Sequence, residues 1–289
     1  MEQIIVNGLY LGASYALIAL GLTLIFALMN VLNFAHGQMY VLGGFITYTV
    51  YAAIGLPFVL GLLASAVTLA IIGALCERLL FAPVIRRSQR EESTMLLAAA
   101  LAFFFDAVIL LIFGEKQRGV PKIVGGVFNW DFRIVIPYDR VLVFVLAVAA
   151  IAAFILFMQY SRTGRALRAL AQDRVAAQLM GVDVDRYSTI GFAIGAMLAG
   201  LVGGLLVTIV GVNLGMGGPT SIKAFLMVMI GGAGVISGAI AGGFILGMME
   251  SIGLTLLAGY GDVTYLVIFA SLMVFLAIRP QGLMGKPWG

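Results

Sequence analysis

The sequence predicts an all-α polytopic membrane protein with about eight transmembrane helices and one broken or re-entrant segment. Three observations carry this. Of 289 residues, 62% are hydrophobic and 10% charged, against about a quarter charged in a soluble domain; so few charges cannot cover a water-facing surface. The mean hydropathy is +1.12. The apolar residues also fall in runs of the length a bilayer needs, about 20 residues for roughly 30 Å of hydrocarbon. Little chain remains for a soluble domain, so residues 1–289 read as a single transmembrane domain.

The runs lie at 3–29, 38–54, 57–80, 93–113, 139–159, 187–211, 221–257 and 262–278. Met1-Glu2-Gln3 is not a positive n-region, and the run behind it is too long for a signal-peptide core, so it reads as a retained first helix. Charge sets orientation. Arg78, Arg86, Arg87 and Arg90 follow the third run; Arg162, Arg165, Arg168, Arg174 and Arg186 follow the fifth; Arg279 and Lys286 end the chain. The positive-inside rule puts these in the cytoplasm. The 114–139 loop then faces the periplasm and the N-terminus lies outside. That side still carries Lys116, Arg118, Lys122, Arg133 and, at its edge, Arg140, so the asymmetry is real but moderate. The net charge of +4 sits in particular loops, which reads as topology and implies no nucleic-acid partner.

Run 221–257 is too long for one crossing and must enter and return. Gly231-Gly232-Ala233-Gly234 marks the turn, predicting a broken element at 221–231 and a returning helix at about 235–257. A second break is expected at Asn30–Gln38. Non-helical backbone survives at membrane depth only when buried in protein or lining water, and paired interruptions in the two halves point to a transport path. The path residues expected are therefore Asn33, His36, Gly37, Gln38, Gly231, Gly232, Gly234 and Ser237. The competing reading is an ordinary loop at 30–38 and close helix packing at the glycines.

Chemistry is scarce. No G-x-x-x-x-G-K-[ST] motif is present, so any ATPase is another chain. One histidine and one cysteine make no zinc set, and His36 has no neighbour to make it a base, so no catalytic residue, metal or bound cofactor is expected. Gly259-Tyr260-Gly261-Asp262 fits the G-x-G-D of aspartyl intramembrane proteases, but the second intramembrane aspartate is missing from its expected context. Asp262 reads instead as an acid near a helix N-terminus. Asp106, Lys223 and Glu250 fall inside runs, where charges are costly and face protein or water; structural pairing is the expected role of each. An ion-coupled secondary transporter, using Asp106 or Glu250, is the alternative class.

The coupling segment, about 161–187, is the most informative polar piece. Thr163–Met180 reads as one helix with Ala166, Leu170 and Ala177 on one side and Arg165, Arg168 and Gln172 opposite, stopped by Gly181. It suits a partner-docking helix; a basic helix against anionic membrane lipid is the plainer reading.

Several blocks then resemble the branched-chain amino acid ABC transporter permeases, LivH-type. They are Asn7-Gly8 through Gly21-Leu22-Thr23, Asn33-Phe34-Ala35-His36-Gly37, Glu77-Arg78 with Pro83-Val84, Ser161-Arg162-Thr163-Gly164-Arg165-Ala166, Met180-Gly181, Lys223-Ala224-Phe225 and Gly231-Gly232-Ala233-Gly234, in family order. The resemblance implies an importer permease for branched-chain or related hydrophobic amino acids. It implies a LivM-type permease, two ATPase subunits holding ATP and Mg, and a periplasmic substrate-binding protein as partners. It makes Arg165, Arg168, Gln172, Asp173, Ala177, Met180 and Gly181 the ATPase contact, and the glycine-rich breaks membrane-centre elements. Val235-Ile236-Ser237 lacks a proline usual in the family, and Asp106 stands where an uncharged polar residue is usual. Urea, amides or aromatic acids, which relatives import, stay open as substrates.

Overall fold

The computed structural model describes residues 2–30, 32–87, 91–130, 134–256 and 261–285. The helices are α1 (Glu2–Met29), α2 (His36–Tyr48), α3 (Phe58–Cys76), α4 (Ala82–Arg87), α5 (Glu91–Phe113), α6 (Tyr138–Tyr160), α7 (Arg162–Gln172), α8 (Arg174–Leu179), α9 (Val184–Val210), α10 (Gly217–Gly231), α11 (Ile236–Leu256) and α12 (Gly261–Ile278). Seven helical spans among the described residues are long and apolar enough to cross a membrane, with Val263–Ile278 a shorter eighth. The starts follow local chemistry. Pro57 and Pro137 precede α3 and α6. Ser161 and Asp183 cap α7 and α9 by accepting from Gly164 N–H (2.7 Å) and Arg186 N–H (3.1 Å).

Two features depart from the sequence reading. The 114–139 loop is not featureless: β1 (Val127–Trp130) and β2 (Ile134–Pro137) pair antiparallel as a hairpin. The helix expected over Thr163–Met180 is two helices. Asp173 breaks it because its carboxylate accepts from Val175 and Ala176 N–H (both 2.9 Å), capping α8 rather than continuing α7.

The bundle has a hairpin end and an α7 end. α1 starts at the hairpin end, where Arg140 reaches Asn7 (2.6 Å), and α9 finishes there, where Val212 bridges Arg118. The basic segment 161–183 and the tail after α12 lie at the other end; Met284 N–H bonds Gly231 O. The inner layer is α1, α2, α9 and α11. α1 packs antiparallel on α11, and α9 packs in the same way on α3. Small residues make both contacts close: Gly12 meets Phe244 and Gly247, and Gly200 meets Leu69 and Ser65. With lipid outside, such packing rather than water exclusion draws helices together. Ser65 Oγ adds a hydrogen bond to Gly200 O (2.8 Å).

A side chain at position 200 must push this junction apart, since a Cβ would sit 2.8 Å from Leu69 Cγ. Gly200→Val is expected to cost about 1–3 kcal/mol, seen as a lower midpoint of thermal unfolding in detergent. Gly119→Ala, which meets open space, should leave the midpoint unchanged.

Candidate functional site

The site is built from two places where a helix stops and the chain turns back into the bundle. α1 ends at Asn30, whose φ of 52° is left-handed. The chain then climbs to His36, whose Nε2 donates to Ile18 O (3.2 Å). Ile18 lies eleven residues before the end of α1, about 16 Å at 1.5 Å per residue. α2 therefore begins halfway along the bundle. Its entry is satisfied locally: the Asn33 side chain accepts from Ala35 N–H (3.1 Å), and His36 N–H bonds Asn33 O (3.1 Å).

The second break is its inverted counterpart. α9 ends at Gly211, pinned by Gln117 Nε2 on Val210 O (3.0 Å) and by the Arg118–Val212 backbone pair. The chain descends through 213–216 and α10 begins at Gly217, against Gly37. Ser221 joins the two half-helices. Its Oγ accepts from Gly37 N–H (2.9 Å) and donates to Phe34 O (2.9 Å). Two helix N-termini, each the positive end of its dipole, thus meet at mid-bundle. No side chain caps α10. Gln38, buried, lies against Gly217 and hydrogen-bonds Asp106 on α5. His36 Nδ1 and Gln38 Oε1 are buried with no partner among the described residues. The edge is not enclosed by this chain: Phe34 and Ile222 are exposed, as are Gly215, Gly218 and Pro219.

Behind this edge sits a charge network. Lys223 Nζ on α10 lies 2.9 Å from both carboxylate oxygens of Glu250 on α11. Tyr15 on α1 and Tyr265 on α12 each donate to that carboxylate (2.7 and 2.8 Å), and Nζ lies 4.7 Å from the Tyr265 ring centroid. Four helices are tied through one ion pair, the structural pairing expected for Lys223 and Glu250. The two tyrosines were missed; nothing in sequence links positions 15, 223, 250 and 265.

Asn33, His36, Gly37 and Gln38 are together at mid-bundle. Gly231, Gly232, Gly234 and Ser237 are not with them. They form the turn between α10 and α11 at the α7 end, where Gly232 abuts Gly285 and Gly234 faces the last turn of α1. The mid-bundle partner of the first break is instead the start of α10 at Gly217, reached through 213–216. Along α7, Arg165 and Arg168 are exposed but donate to Tyr160 O (3.0 Å) and Gln159 O (3.2 Å), closing the end of α6. Gln172, Asp173 and Met180 are exposed, Ala177 is buried, and Gly181 ends α8 with φ 84°. Val175 and Leu179 join Met180 in an exposed apolar patch, 68, 83 and 85% exposed. Of Gly259-Tyr260-Gly261-Asp262, residues 259 and 260 lie outside the described residues.

The family model described as branched-chain amino acid transport system / permease component matches residues 4–276. The chain belongs to this family. The permease is 34% identical over 299 residues to the high-affinity branched-chain amino acid transport system permease protein BraD of Pseudomonas aeruginosa, covering 99% of this chain and 96% of BraD. It is 32% identical over 297 residues to the LivH permease of Escherichia coli K12 (97% and 94%), and 31% over 303 residues to a probable LivH permease of Methanocaldococcus jannaschii (99% and 94%). Among solved structures, PsaBC from Streptococcus pneumoniae in complex with Fab shares the fold, with a TM-score of 0.53 at 14% identity over 95% of this chain and 91% of that one. Membership places the permease among membrane transport subunits, not enzymes.

Removing one partner of the buried pair strands the other. Lys223→Met is expected to destabilise the permease by about 3–5 kcal/mol, and Lys223→Met with Glu250→Leu to regain most of it. Denaturation midpoints of the four members of that double-mutant cycle check this.

Proposed function

We propose that this permease forms half of the translocation path of an ABC importer for branched-chain or related hydrophobic amino acids. The observation that carries this is the exposed break edge. Backbone turned out of its helix at mid-span cannot face hydrocarbon, so Phe34 and residues 213–222 need a second permease and a water-filled path opposite them. A LivM-type chain is the partner proposed for that place. The relatives' names supply the substrate class; a periplasmic binding protein would deliver it and set most of the selectivity.

The engine is proposed to be two ATPase subunits that hold ATP and Mg; this chain would bind neither. Their docking surface is the α7–α8 segment, part of a single transmembrane domain. Orientation follows: the α7 end and C-terminus in the cytoplasm, the N-terminus and 114–139 loop in the periplasm, across the inner membrane. The basic residues of α7 also suit contact with anionic lipid. Arg165 and Arg168 lock α7 onto α6, while Val175, Leu179 and Met180 offer the apolar contact. Motion of the ATPases would pass through α7 to α6, and through Asp185–Arg86 (2.6 Å) and Glu77–Thr189 (2.5 Å) to the α3–α9 pair. The first of these is an exposed ion pair and would steer rather than hold.

Two outcomes test this. Leucine uptake by proteoliposomes should need all partner subunits and ATP; uptake by the permease alone, abolished by a protonophore, would establish an ion-coupled transporter instead. Leu179→Asp with Met180→Asp should cut co-purification of the ATPases at least tenfold while the permease still inserts with the second permease. Undiminished co-purification would move the docking surface elsewhere.

A further inference from the structure

We infer that Asp106 and Gln38 form the station that takes the ammonium group of the passing amino acid, beside an α10 N-terminus that faces its carboxylate. This rests on the amino-acid importer reading above. Asp106 lies within α5, seven residues before its end, about 10 Å along the helix axis. It is partly exposed, at the border of the face that α5 packs on the bundle: Gln38 of α2 reaches it and Ile109 beside it is buried, while Phe103 and Leu110, three residues before it and four after, are open. A charge at that depth must meet protein or water.

Its treatment differs from that of Glu250. Glu250 is buried and receives Lys223 and two tyrosine hydroxyls. Asp106 has the Gln38 amide as its hydrogen-bond partner, and neither ion pair among the described residues includes it. An ionised carboxylate offers about four acceptor positions, so most are left over. Gln38 adds another acceptor: its Oε1 is buried and unpartnered although its side chain lies on Gly217, the first residue of α10. An acceptor with capacity left over beside one with no donor among the described residues suits a group that brings several N–H bonds and a positive charge, as R–NH3⁺ does. The uncapped N-terminus alongside suits an anion. A zwitterion fits this juxtaposition; an uncharged amide or urea leaves the carboxylate unmatched.

A basic side chain of the second permease is the rival occupant, and the test separates them. In the complete transporter with its binding protein, Asp106→Asn should lower leucine uptake per ATP hydrolysed at least tenfold, Asp106→Glu should keep most of it, and the second permease should co-purify with both. In a Cys76→Ser background, which removes the one native thiol, Asp106→Cys should react with the membrane-impermeant reagent trimethylammonium-ethyl methanethiosulfonate. Leucine with binding protein should slow that reaction. Loss of the second permease with Asp106→Asn would make Asp106 an interface ion pair and overturn the proposal. Unchanged uptake by Asp106→Asn, or no reaction at the cysteine, would overturn it too. If the wild-type complex moves no amino acid at all, the importer reading fails instead, and the labelling still reports whether water reaches position 106.

Discussion

Every peptide group that leaves its helix inside this bundle must find another partner, and the two mid-bundle breaks exist because the chain supplies them. In lipid each orphaned group would cost several kcal/mol. Asn33 folds its side chain back on Ala35 N–H, Ser221 serves both Gly37 N–H and Phe34 O, and residues 117–118 close the end of α9. The close approach of Gly37 to Gly217 follows: no Cβ fits at Gly37 without striking Gly217 O. An alanine there would separate the two half-helices and leave Ser221 unable to bridge them.

The charge network belongs to the same constraint. α10 is only 15 residues long and starts at mid-bundle, so it cannot be held by length alone. Lys223 ties it to α11, α1 and α12 through Glu250, Tyr15 and Tyr265. A buried pair of this kind adds little net stability over apolar packing, and its use is to fix one arrangement. Here it fixes where α10 begins, and so which backbone reaches the open edge. Glycines then set how closely the surrounding helices approach.

Much of this fold was legible in the residues. Hydropathy located α1, α5, α6, α9 and α12 to within about three positions but stopped short of the span end at Arg87 and began after the span start at Leu214, and Gly231–Gly234 marked the α10–α11 turn. What hydropathy lacks is depth. A polar gap between two apolar runs looks the same whether it lies in water or folds back into the bundle. Residues 212–220 fall between two apolar runs, and hydropathy alone does not show that they fold back into the bundle, although Gly215, Gly217, Gly218 and Pro219 signal an interruption. Asp173 split a helix that its amphipathic pattern made continuous, because cap chemistry is local and periodicity averages over it. The Tyr15–Lys223–Glu250–Tyr265 set depends on four helices meeting and has no trace in spacing. Family blocks such as Asn33–Gly37 carried the functional class further than the physics of single residues could.

Function here is proposed to follow from an incomplete surface rather than from a reactive group. The chain encloses its own charges at Glu250 but leaves Phe34, Gly218, Pro219 and Ile222 open at mid-span, as half of a pathway should. A structure by electron cryo-microscopy of the assembled transporter in lipid nanodiscs tests this most directly. The account predicts that the edge formed by Phe34 and residues 213–222 faces the second permease across a solvated gap. Density for lipid acyl chains along that edge, with the second permease bound elsewhere, would contradict it.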